Sequence, residues 1–438
     1  MTNFKNILLG SSLLLLNGMT AMAQTDGGIS PEMLAKIQQT RPQGNAEKAL
    51  ANAMATMSIN DLAKNAAKQG KIDTKFSIET PKQNIHNQKS SGRCWMFSSM
   101  NVLRSRFALE HKDTLAVEYS QDYLFFYDQL EKANLFLQGT IETASKPIDD
   151  SEVKFFFRSP LNDGGTFCGI IDLTKKYGLE LRSMVAAKKK AAAINTRKTE
   201  MLAEVYRILS MTLGEPVREF RYAHRDKNGN IKGEEKTYTP MEFYKETVKE
   251  QIEDTFIMLM NDPRHPYYKV YEVEYDRHTY DGHNWRYINL PIEDIESIAI
   301  ASLKDGRKMY SSYDLPQMDR NRGYMDLNLW DYSTLFNTQF PMNKAERIST
   351  FESMSAHAMT LTAVDLDKNG KPKKWKVENS WGAGNGQQGY AIMTEEWFRE
   401  YMFRLVVDKK YVPENILKLK DEKPTMIPYD DPLFKAEE

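Results

Sequence analysis

The stretch NQKSSGRCWMFSS, Asn87–Ser99, contains Cys94, one of only two cysteines in this chain of 438 residues. Small and polar residues precede the cysteine, and apolar residues follow it at positions 95, 97, 100, 103 and 107. This spacing is close to the 3.6-residue period of an amphipathic helix, so we predict that Cys94 lies at or near a helix start. The positive end of a helix lowers the pKa of a thiol, which makes Cys94 a candidate nucleophile.

The second cysteine, Cys168, leaves two alternatives open. Cys94 could be an inert packed thiol, or it could pair with Cys168 in a disulfide that blocks thiol chemistry. Exported proteins that depend on disulfides usually carry more than two cysteines. A chain of this length has enough residues for two or three domains with their own cores, so the fold has no evident need of a disulfide.

Residues 1–23 have the features of a secretory signal peptide. Lys5 supplies a positive start, the apolar stretch ILLGSSLLLL is too short to span a bilayer, and the small residues AMA precede Gln24. The alternative is a partly buried N-terminal helix. No later stretch approaches the roughly 18 apolar residues of a membrane helix. We therefore predict export to the periplasm or out of the cell, with no membrane partner.

The composition is that of a soluble globular protein. Hydrophobic residues make up 41% of the chain and charged residues 27%, and the formal net charge is −1 at pH 7. A nearly neutral chain offers no general basic field for a polyanion. We expect no nucleic-acid partner.

The secondary-structure signals change in character along the chain. Strong helix formers fill residues 186–213, and Thr239, Pro240 and Glu242 form a helix-capping box, so residues 180–260 are predicted to be a helical block. From about residue 268 short β-rich segments follow, with a hairpin signal at Asn369-Gly370. This pattern predicts an α+β protein whose last third is an antiparallel sheet or a partly open barrel.

Candidate partners for a thiol nucleophile lie in this β-rich part. His357 begins the segment HAMTLTAV, and Asn379 lies just past the hairpin strand in KVENSWG. A thiol needs a base, and the base needs a group that orients it; Trp381 could shield that bond from water. The backbone N–H of Cys94 and the side chain of Gln88 are candidate donors to an oxyanion.

These motifs resemble those of the papain-like cysteine peptidases, in which a Gln, a Cys-Trp pair, a His-Ala pair and Asn-Ser-Trp-Gly follow one another. Two departures from papain itself stand out. Ser91 takes the place of a cysteine, so papain's local disulfide is absent, and Arg93 precedes Cys94. In addition, His357 follows Cys94 by 263 residues, against roughly 130–150 in papain, so more than a hundred residues are inserted.

The insertion and further motifs resemble the bleomycin hydrolase and aminopeptidase C branch of this family. The motifs NQKSSGRCWMF, DGG, TPMEFY, DPRHPYY, HAMTLTAV, VENSWG and EEWF occur in the same order over roughly residues 60–438. The resemblance implies a two-lobed papain-like fold with a large helical insertion. The implied segments are a signal peptide (1–23), an N-terminal segment with the helical catalytic lobe (24–180), the helical insertion (181–265), the β-rich catalytic lobe (266–420) and a C-terminal arm (421–438).

The resemblance also implies roles for individual residues. Cys94 would be the nucleophile, His357 the general base and acid, Asn379 the residue that orients the imidazole, and Gln88 the oxyanion donor. Gly164 and Gly165 would let the substrate backbone approach the cleft.

The branch further implies a homohexamer whose active sites face an internal channel. Its C-terminal arm enters the cleft, so the carboxylate of Glu438 would bind the amine of a peptide and restrict the enzyme to aminopeptidase action. Here the tail IPYDDPLFKAEE ends in charged residues, unlike the small residues of the branch. Two alternatives therefore stay open: an endopeptidase with an open cleft, and a non-catalytic hexameric scaffold.

No metal or other cofactor is expected. The motif DLDKNG at residues 365–370 matches half of an EF-hand loop, but Lys376 stands where the loop requires Glu, and a hairpin turn explains the motif better. His278, Asp281 and His283 lie where the family has structural sequence.

Overall fold

The computed structural model describes residues 28–40, 44–112, 115, 117–158, 160–181, 197–248 and 252–434. The proposed signal peptide, the first part of the helix predicted at 186–213, and Glu438 lie outside the described residues. The chain divides into two compact units, one ending at Lys64 and the other beginning at Asn65.

The first unit contains three helices, α1 (Pro31–Gln39), α2 (Asn45–Met54) and α3 (Ile59–Ala63). The start of α1 follows from its sequence. The Ser30 hydroxyl accepts a hydrogen bond from the N–H of Met33 at 3.2 Å, and Pro31 occupies the first helical position, where no N–H is needed.

The second unit combines helices with a large sheet. Its helices are α4 (Cys94–Glu110), α5 (Gln121–Glu142), α6 (Ser151–Arg158), α7 (Phe167–Tyr177), α8 (Arg197–Leu213), α9 (Pro240–Val248), α10 (Ile252–Thr255), α11 (Ile292–Lys304), α12 (Tyr332–Phe336), α13 (Lys344–Ser349), α14 (Glu395–Tyr401) and α15 (Glu414–Leu417), with 3-10 turns at Ala66–Lys68, Lys409–Tyr411 and Lys418–Asp421. Across the described part of the chain, no helix has the length and apolar character that crossing a membrane requires.

The strands are β1 (Ile78–Glu79), β2 (Phe220–Tyr222), β3 (Lys236–Tyr238), β4 (Phe256–Met260), β5 (Lys269–Val273), β6 (Arg286–Asn289), β7 (Met309–Tyr313), β8 (Met318–Asp319), β9 (Tyr324–Met325), β10 (His357–Leu366), β11 (Pro372–Glu378), β12 (Tyr390–Thr394), β13 (Met402–Asp408) and β14 (Thr425–Ile427). Twelve of them form one sheet in the order β14-β5-β6-β4-β13-β7-β10-β11-β12-β9-β8, with β1 paired to β10. Most neighbours are antiparallel, but three pairs are parallel: β4 with β6, β5 with β14, and β9 with β12. The predicted antiparallel sheet is therefore a mixed sheet.

The block predicted to be helical also contains β structure. Strands β2 and β3 pair in a separate antiparallel sheet, Phe220 opposite Tyr238, and β4 joins the large sheet. Three-residue strands are too short to show an alternating pattern, which explains why the sequence did not reveal β2 and β3. The capping box before α9 is confirmed: Thr239 and Glu242 bond each other's backbone N–H groups.

The large sheet separates two hydrophobic cores. Successive side chains of a strand point to opposite faces, and in β13 Val406 enters one core while its neighbours Leu405 and Val407 enter the other. Helix α4 packs against β10 and α7 in the first core. The start of α4 therefore lies close to the strand that begins at His357.

Helix α4 was predicted to be amphipathic, and this prediction is wrong. Its side chains from Trp95 to Ser105 are all buried. The polar ones have partners inside the protein: the Ser99 hydroxyl donates to the Trp95 carbonyl at 2.7 Å, and the Asn101 amide donates to the Thr360 hydroxyl at 3.3 Å. A helix whose polar residues are satisfied internally can be enclosed on all sides.

The hairpin predicted at Asn369-Gly370 is confirmed, and it joins β10 to β11. Gly370 has φ of +80°, which glycine adopts without strain, and a carboxylate oxygen of Asp367 accepts the N–H groups of Asn369 and Lys371. The acidic motif thus serves the turn. The hairpin also brings Asn379, just past β11, back towards the start of β10.

Candidate active site

Cys94 is the first residue of α4, as predicted, and its side chain is half-buried. The N–H of Ala358 points at the sulfur, with a distance of 3.4 Å between nitrogen and Sγ. The thiol also lies 3.7 Å from the Gly92 carbonyl oxygen. The thiol of α4 and the first residues of β10 therefore meet directly.

His357, the first residue of β10, is oriented by Asn379. Its Nε2 lies 2.9 Å from the amide Oδ1 of Asn379, and the N–H of Ser380 donates to the same oxygen at 2.8 Å. An amide oxygen only accepts, so Nε2 carries the proton in this hydrogen-bond assignment. Nδ1 is then the ring nitrogen that is free to accept the thiol proton.

Trp381 covers the pair formed by His357 and Asn379. The indole and imidazole ring centres are 5.0 Å apart, and the Arg320 guanidinium lies 5.3 Å from the indole ring. This is the position expected for a side chain that shields the bond from water. The sequence had indicated Trp381 for this position but not Arg320.

The two titrating groups favour their neutral forms when each is considered alone. Burial lowers the pKa of His357 to about 4, with the Asn379 hydrogen bond acting in the opposite direction. Burial raises the pKa of the Cys94 thiol, although the N–H of Ala358 acts in the opposite direction. The prediction that the helix start lowers the thiol pKa is therefore wrong for the free thiol, because loss of water outweighs the helix end.

Transfer of the thiol proton to His357 changes this balance. It creates a thiolate and an imidazolium together, and opposite charges attract each other most strongly where water is excluded. The site is therefore suited to a neutral resting pair that becomes charged during a reaction.

Gln88 is attached to the segment that follows Asn379. Its N–H donates to the Ser380 carbonyl at 2.7 Å, and its Oε1 accepts a hydrogen bond from the Ser380 hydroxyl. Its Nε2 donates one proton to the Ser91 carbonyl. A primary amide carries two such protons, so the second is left for a ligand in the cleft.

Five of the predicted residues line one cleft of about 260 Å³, and Asn379 lies behind His357 without lining it. Gln88, Cys94 and His357 line it together with Gly164 and Gly165. The further lining residues include Tyr310, Ser312, Ser355 and Arg404, which the sequence did not indicate. The available signal for Arg404 was a single arginine within the apolar strand MFRLVVD.

Comparison with known proteins decides the family. A family model described as Peptidase C1-like family matches residues 28–180 and 175–434. The chain is 36% identical over 414 residues to aminopeptidase G of Lactobacillus delbrueckii subsp. lactis, covering 87% of this chain and 94% of that one. It is 34% identical over 452 residues to bleomycin hydrolase of Homo sapiens, covering 93% and 99%.

This chain belongs to the peptidase C1-like family. The crystal structure of PepW from Lactobacillus rhamnosis HN001 agrees, with a TM-score of 0.84 and 34% identity over 93% of this chain and 98% of that one. The peptidase is a cysteine-type enzyme, and the predicted papain-like α+β fold is confirmed.

The C-terminal segment of the peptidase runs beside the cleft. The carbonyl of Leu433 accepts a hydrogen bond from the N–H of Ser355, a cleft residue, at 3.0 Å. Arg264 donates to Asp431 at 2.7 Å. Phe434 is the last described residue, so the predicted amine-binding residue Glu438 lies outside the described part of the chain.

Both cysteines of the peptidase are free thiols. Cys168 is buried in α7, where its sulfur lies 2.8 Å from the Thr166 hydroxyl oxygen. The disulfide alternative therefore does not occur in this structure. Among the described residues, no three His, Cys, Asp or Glu side chains are grouped so that they could hold a metal ion.

Proposed function

We propose that this peptidase is an aminopeptidase that acts on short peptides through Cys94, His357, Asn379 and Gln88. The observation that carries the proposal is the continuous chain of contacts from the Cys94 sulfur through the start of β10 to the amide of Asn379. A nucleophile, a base and a group that orients the base are thereby adjacent.

The reaction begins when Nδ1 of His357 takes the thiol proton and Sγ of Cys94 attacks the scissile carbonyl carbon. The second Nε2 proton of Gln88 and the N–H of Cys94 donate to the oxyanion that forms. The tetrahedral species then collapses, and the leaving amine takes the proton from His357. A water molecule, deprotonated by His357, hydrolyses the resulting thioester and frees Cys94 and a carboxylic acid.

The aminopeptidase mode rests on the C-terminal arm. Residues 435–438 follow directly on Phe434, two residues after the Leu433 contact with the cleft residue Ser355. A terminal carboxylate placed in the cleft would pair with the free amine of a peptide and would block longer chains on that side. A peptide with an acetylated amine would lose this ion pair and should be a poor substrate.

Fluorogenic aminoacyl substrates test the thiol chemistry. We expect hydrolysis to require a reductant, to stop on alkylation, and to fall by about 10³-fold or more in Cys94→Ser. Cys168→Ala is the matched control, because it removes the other thiol and should keep both the activity and its sensitivity to alkylation. Activity that survives in Cys94→Ser would contradict the proposal.

Deletion of residues 435–438 tests the mode of cleavage. We expect the shortened enzyme to cleave internal bonds and acetylated peptides that the full chain leaves intact. An unchanged product pattern would instead favour the endopeptidase alternative, which the charged ending KAEE keeps open.

We also propose that the enzyme assembles as a homohexamer, on the strength of its resemblance to the bleomycin hydrolase branch. Sedimentation velocity of the full chain should give the mass of six copies of a 50.6 kDa chain, less any cleaved segment. A monomer at micromolar concentration would contradict this proposal.

We propose that residues 1–23 direct export of the enzyme and are then removed. The support is the sequence of a positive start, a short apolar stretch and small residues before Gln24. Mass spectrometry of the enzyme from its producing cell should show a chain that begins at Gln24. A chain that retains residues 1–23 in the cytoplasm would contradict this proposal.

A further inference from the structure

Three buried polar side chains, Asp128, Lys132 and His278, form a cluster that the mechanism above does not use. Nδ1 of His278 lies 2.6 Å from one carboxylate oxygen of Asp128, and Nζ of Lys132 lies 3.1 Å from the other. Asp128 has no exposed surface, and the other two are almost fully buried. Burial alone would raise the pKa of Asp128, but Lys132 and His278 hold it below its usual value.

This Asp–Lys–His cluster bonds the backbone on both sides of Gly165. Nζ of Lys132 donates to the Gly164 carbonyl at 2.6 Å. Nε2 of His278 accepts the N–H of Thr166 at 3.1 Å. The carbonyl before Gly165 and the N–H after it are therefore both turned towards the cluster.

Peptide geometry then determines where the polar groups of Gly165 point. In a trans peptide the C=O and the N–H of one unit point in opposite directions. The N–H of Gly165 therefore points away from Lys132, and its C=O points away from His278. Gly165 lines the catalytic cleft, so its N–H and C=O present a hydrogen-bond donor and an acceptor to that cleft. An extended peptide that pairs with a strand bonds both of these groups.

The cluster also determines how closely the backbone at Gly165 packs against the protein interior. A Cβ atom on Gly165 would overlap the His278 ring, and the same is true of Gly169 in α7. The His278 ring also packs against Trp95, with ring centres 4.5 Å apart, and Trp95 directly follows Cys94. Contacts of the His278 ring therefore fix the position of Gly165 relative to Cys94.

We infer that Asp128, Lys132 and His278 are positioning residues that aim the N–H and C=O of Gly165 at the backbone of a peptide in the cleft. The inference rests on the proposed function and adds to it a cause for backbone recognition. The cluster does not contact the reacting atoms. Its loss should weaken the capture of peptides and leave the reactivity of the thiol unchanged.

Two alkylating reagents separate these effects. Iodoacetamide has no peptide backbone for the cleft to bind, so it reports the reactivity of the thiol alone. A dipeptidyl chloromethyl ketone with a free amine reacts after its backbone is bound in the cleft. In the double variant Asp128→Asn/Lys132→Met, which leaves no buried charge unpaired, we expect the rate with the dipeptidyl reagent to fall about 10- to 100-fold. The rate with iodoacetamide should stay within about twofold of that of the unaltered enzyme. The kcat/KM for peptides should fall together with the rate for the dipeptidyl reagent.

Lys344→Met is the matched control. Lys344 is an equally buried lysine that donates to a backbone carbonyl, that of Met402 at 2.7 Å, but it does not touch the segment around Gly165. We expect this variant to lose stability, whereas the ratio of its two alkylation rates should equal that of the unaltered enzyme.

Three outcomes would overturn the inference: an unchanged ratio in the double variant, an equal fall of both rates, or the same change of ratio in Lys344→Met. A dipeptidyl reagent that is no faster than iodoacetamide on the unaltered, active enzyme would overturn it too. Absence of peptidase activity in the unaltered enzyme would contradict the proposed function itself, so the two failures are distinguishable.

Discussion

His357 is held as a neutral imidazole at the start of β10. Burial lowers its pKa to about 4 from an ordinary value of 6.5, and Asn379 binds the nitrogen that carries the proton. A base that stays neutral through mildly acidic conditions can accept the thiol proton over that whole range. The proposed base should therefore also make the stability of the enzyme depend on pH.

The free energy of unfolding should fall as the pH drops from about 6.5 to about 4. In this window unfolded His357 binds a proton and folded His357 does not, so the unfolded state gains stability. The loss of stability reaches roughly 3 kcal/mol below pH 4 and is absent above about pH 6.5. Urea unfolding of the enzyme and of His357→Gln at several pH values measures it.

The difference in stability between the enzyme and His357→Gln should therefore shift in favour of the variant as the pH falls. His283→Gln controls for the loss of a histidine, because this side chain is 64% exposed and a glutamine amide can replace its hydrogen bond to Asp172. Parallel pH curves for the enzyme and His357→Gln would contradict the prediction.

Helix α4, strand β7 and strand β11 are joined by a buried ion cluster. Glu378, which has almost no exposed surface, accepts a hydrogen bond from Arg104 of α4 at 2.7 Å and from Lys308, next to β7, at 2.8 Å. Glu378 directly precedes Asn379, and Arg104 lies on the helix that begins at Cys94. The cluster therefore links the helix that begins at Cys94 to the strand that ends just before Asn379.

Glu378→Gln should lower the free energy of unfolding by about 3–5 kcal/mol, because it leaves the buried Lys308 without a counter-charge and the buried Arg104 with only the partly exposed Glu118. Urea unfolding at pH 7 measures the change. Glu414→Gln is the control, because Glu414 also pairs with a lysine, Lys418, but both of these side chains are mostly exposed. Its loss of unfolding free energy should stay below about 1 kcal/mol. Equal effects of the two substitutions would contradict the role of burial.

The last described segment of the chain reaches the cleft through contacts that span the second unit. Arg264 bonds both Asp262 and Asp431 at 2.7 Å, and its guanidinium is mostly buried between them. Beyond Asp431, Leu433 and Phe434 are buried, and the Phe434 ring lies 5.2 Å from the guanidinium of the cleft residue Arg404. The arm is thus anchored before it reaches the residues that we propose to bind the substrate amine.

Arg264→Met should loosen the arm without shortening it. Asp431 would lose its buried partner, at a cost of about 1–3 kcal/mol, and the fraction of enzyme with a released arm should rise about tenfold or more. We expect cleavage of acetylated peptides to rise, measured with a peptide that the unaltered enzyme cuts slowly. The control Lys420→Gln breaks an exposed pair with Asp421 and should leave that rate unchanged.

If the rate is unchanged in Arg264→Met but deletion of residues 435–438 alters the product pattern, the arm blocks the cleft and Arg264 does not anchor it. The arm would then stay in the cleft without help from Arg264. An unchanged pattern in both variants would contradict a role of the arm in cleavage mode.

Much of the candidate site was predictable because its signals are local. The helix start at Cys94, the strand start at His357 and the turn at Asn369-Gly370 each follow from a few adjacent residues. The order of the motifs then indicated which distant residues act together, including Gln88. None of these inferences required the path of the chain between them.

The sequence by itself determined the family, the candidate catalytic residues and the type of most elements. The tertiary structure alone decided the burial of α4 on all sides, the raised pKa of Cys94 and the mixed sheet. It also decided the Asp–Lys–His cluster, since Asp128 and His278 are 150 residues apart. Periodicity and turn chemistry act over a few residues, whereas loss of water and pairing of buried charges depend on which distant segments the fold brings into contact.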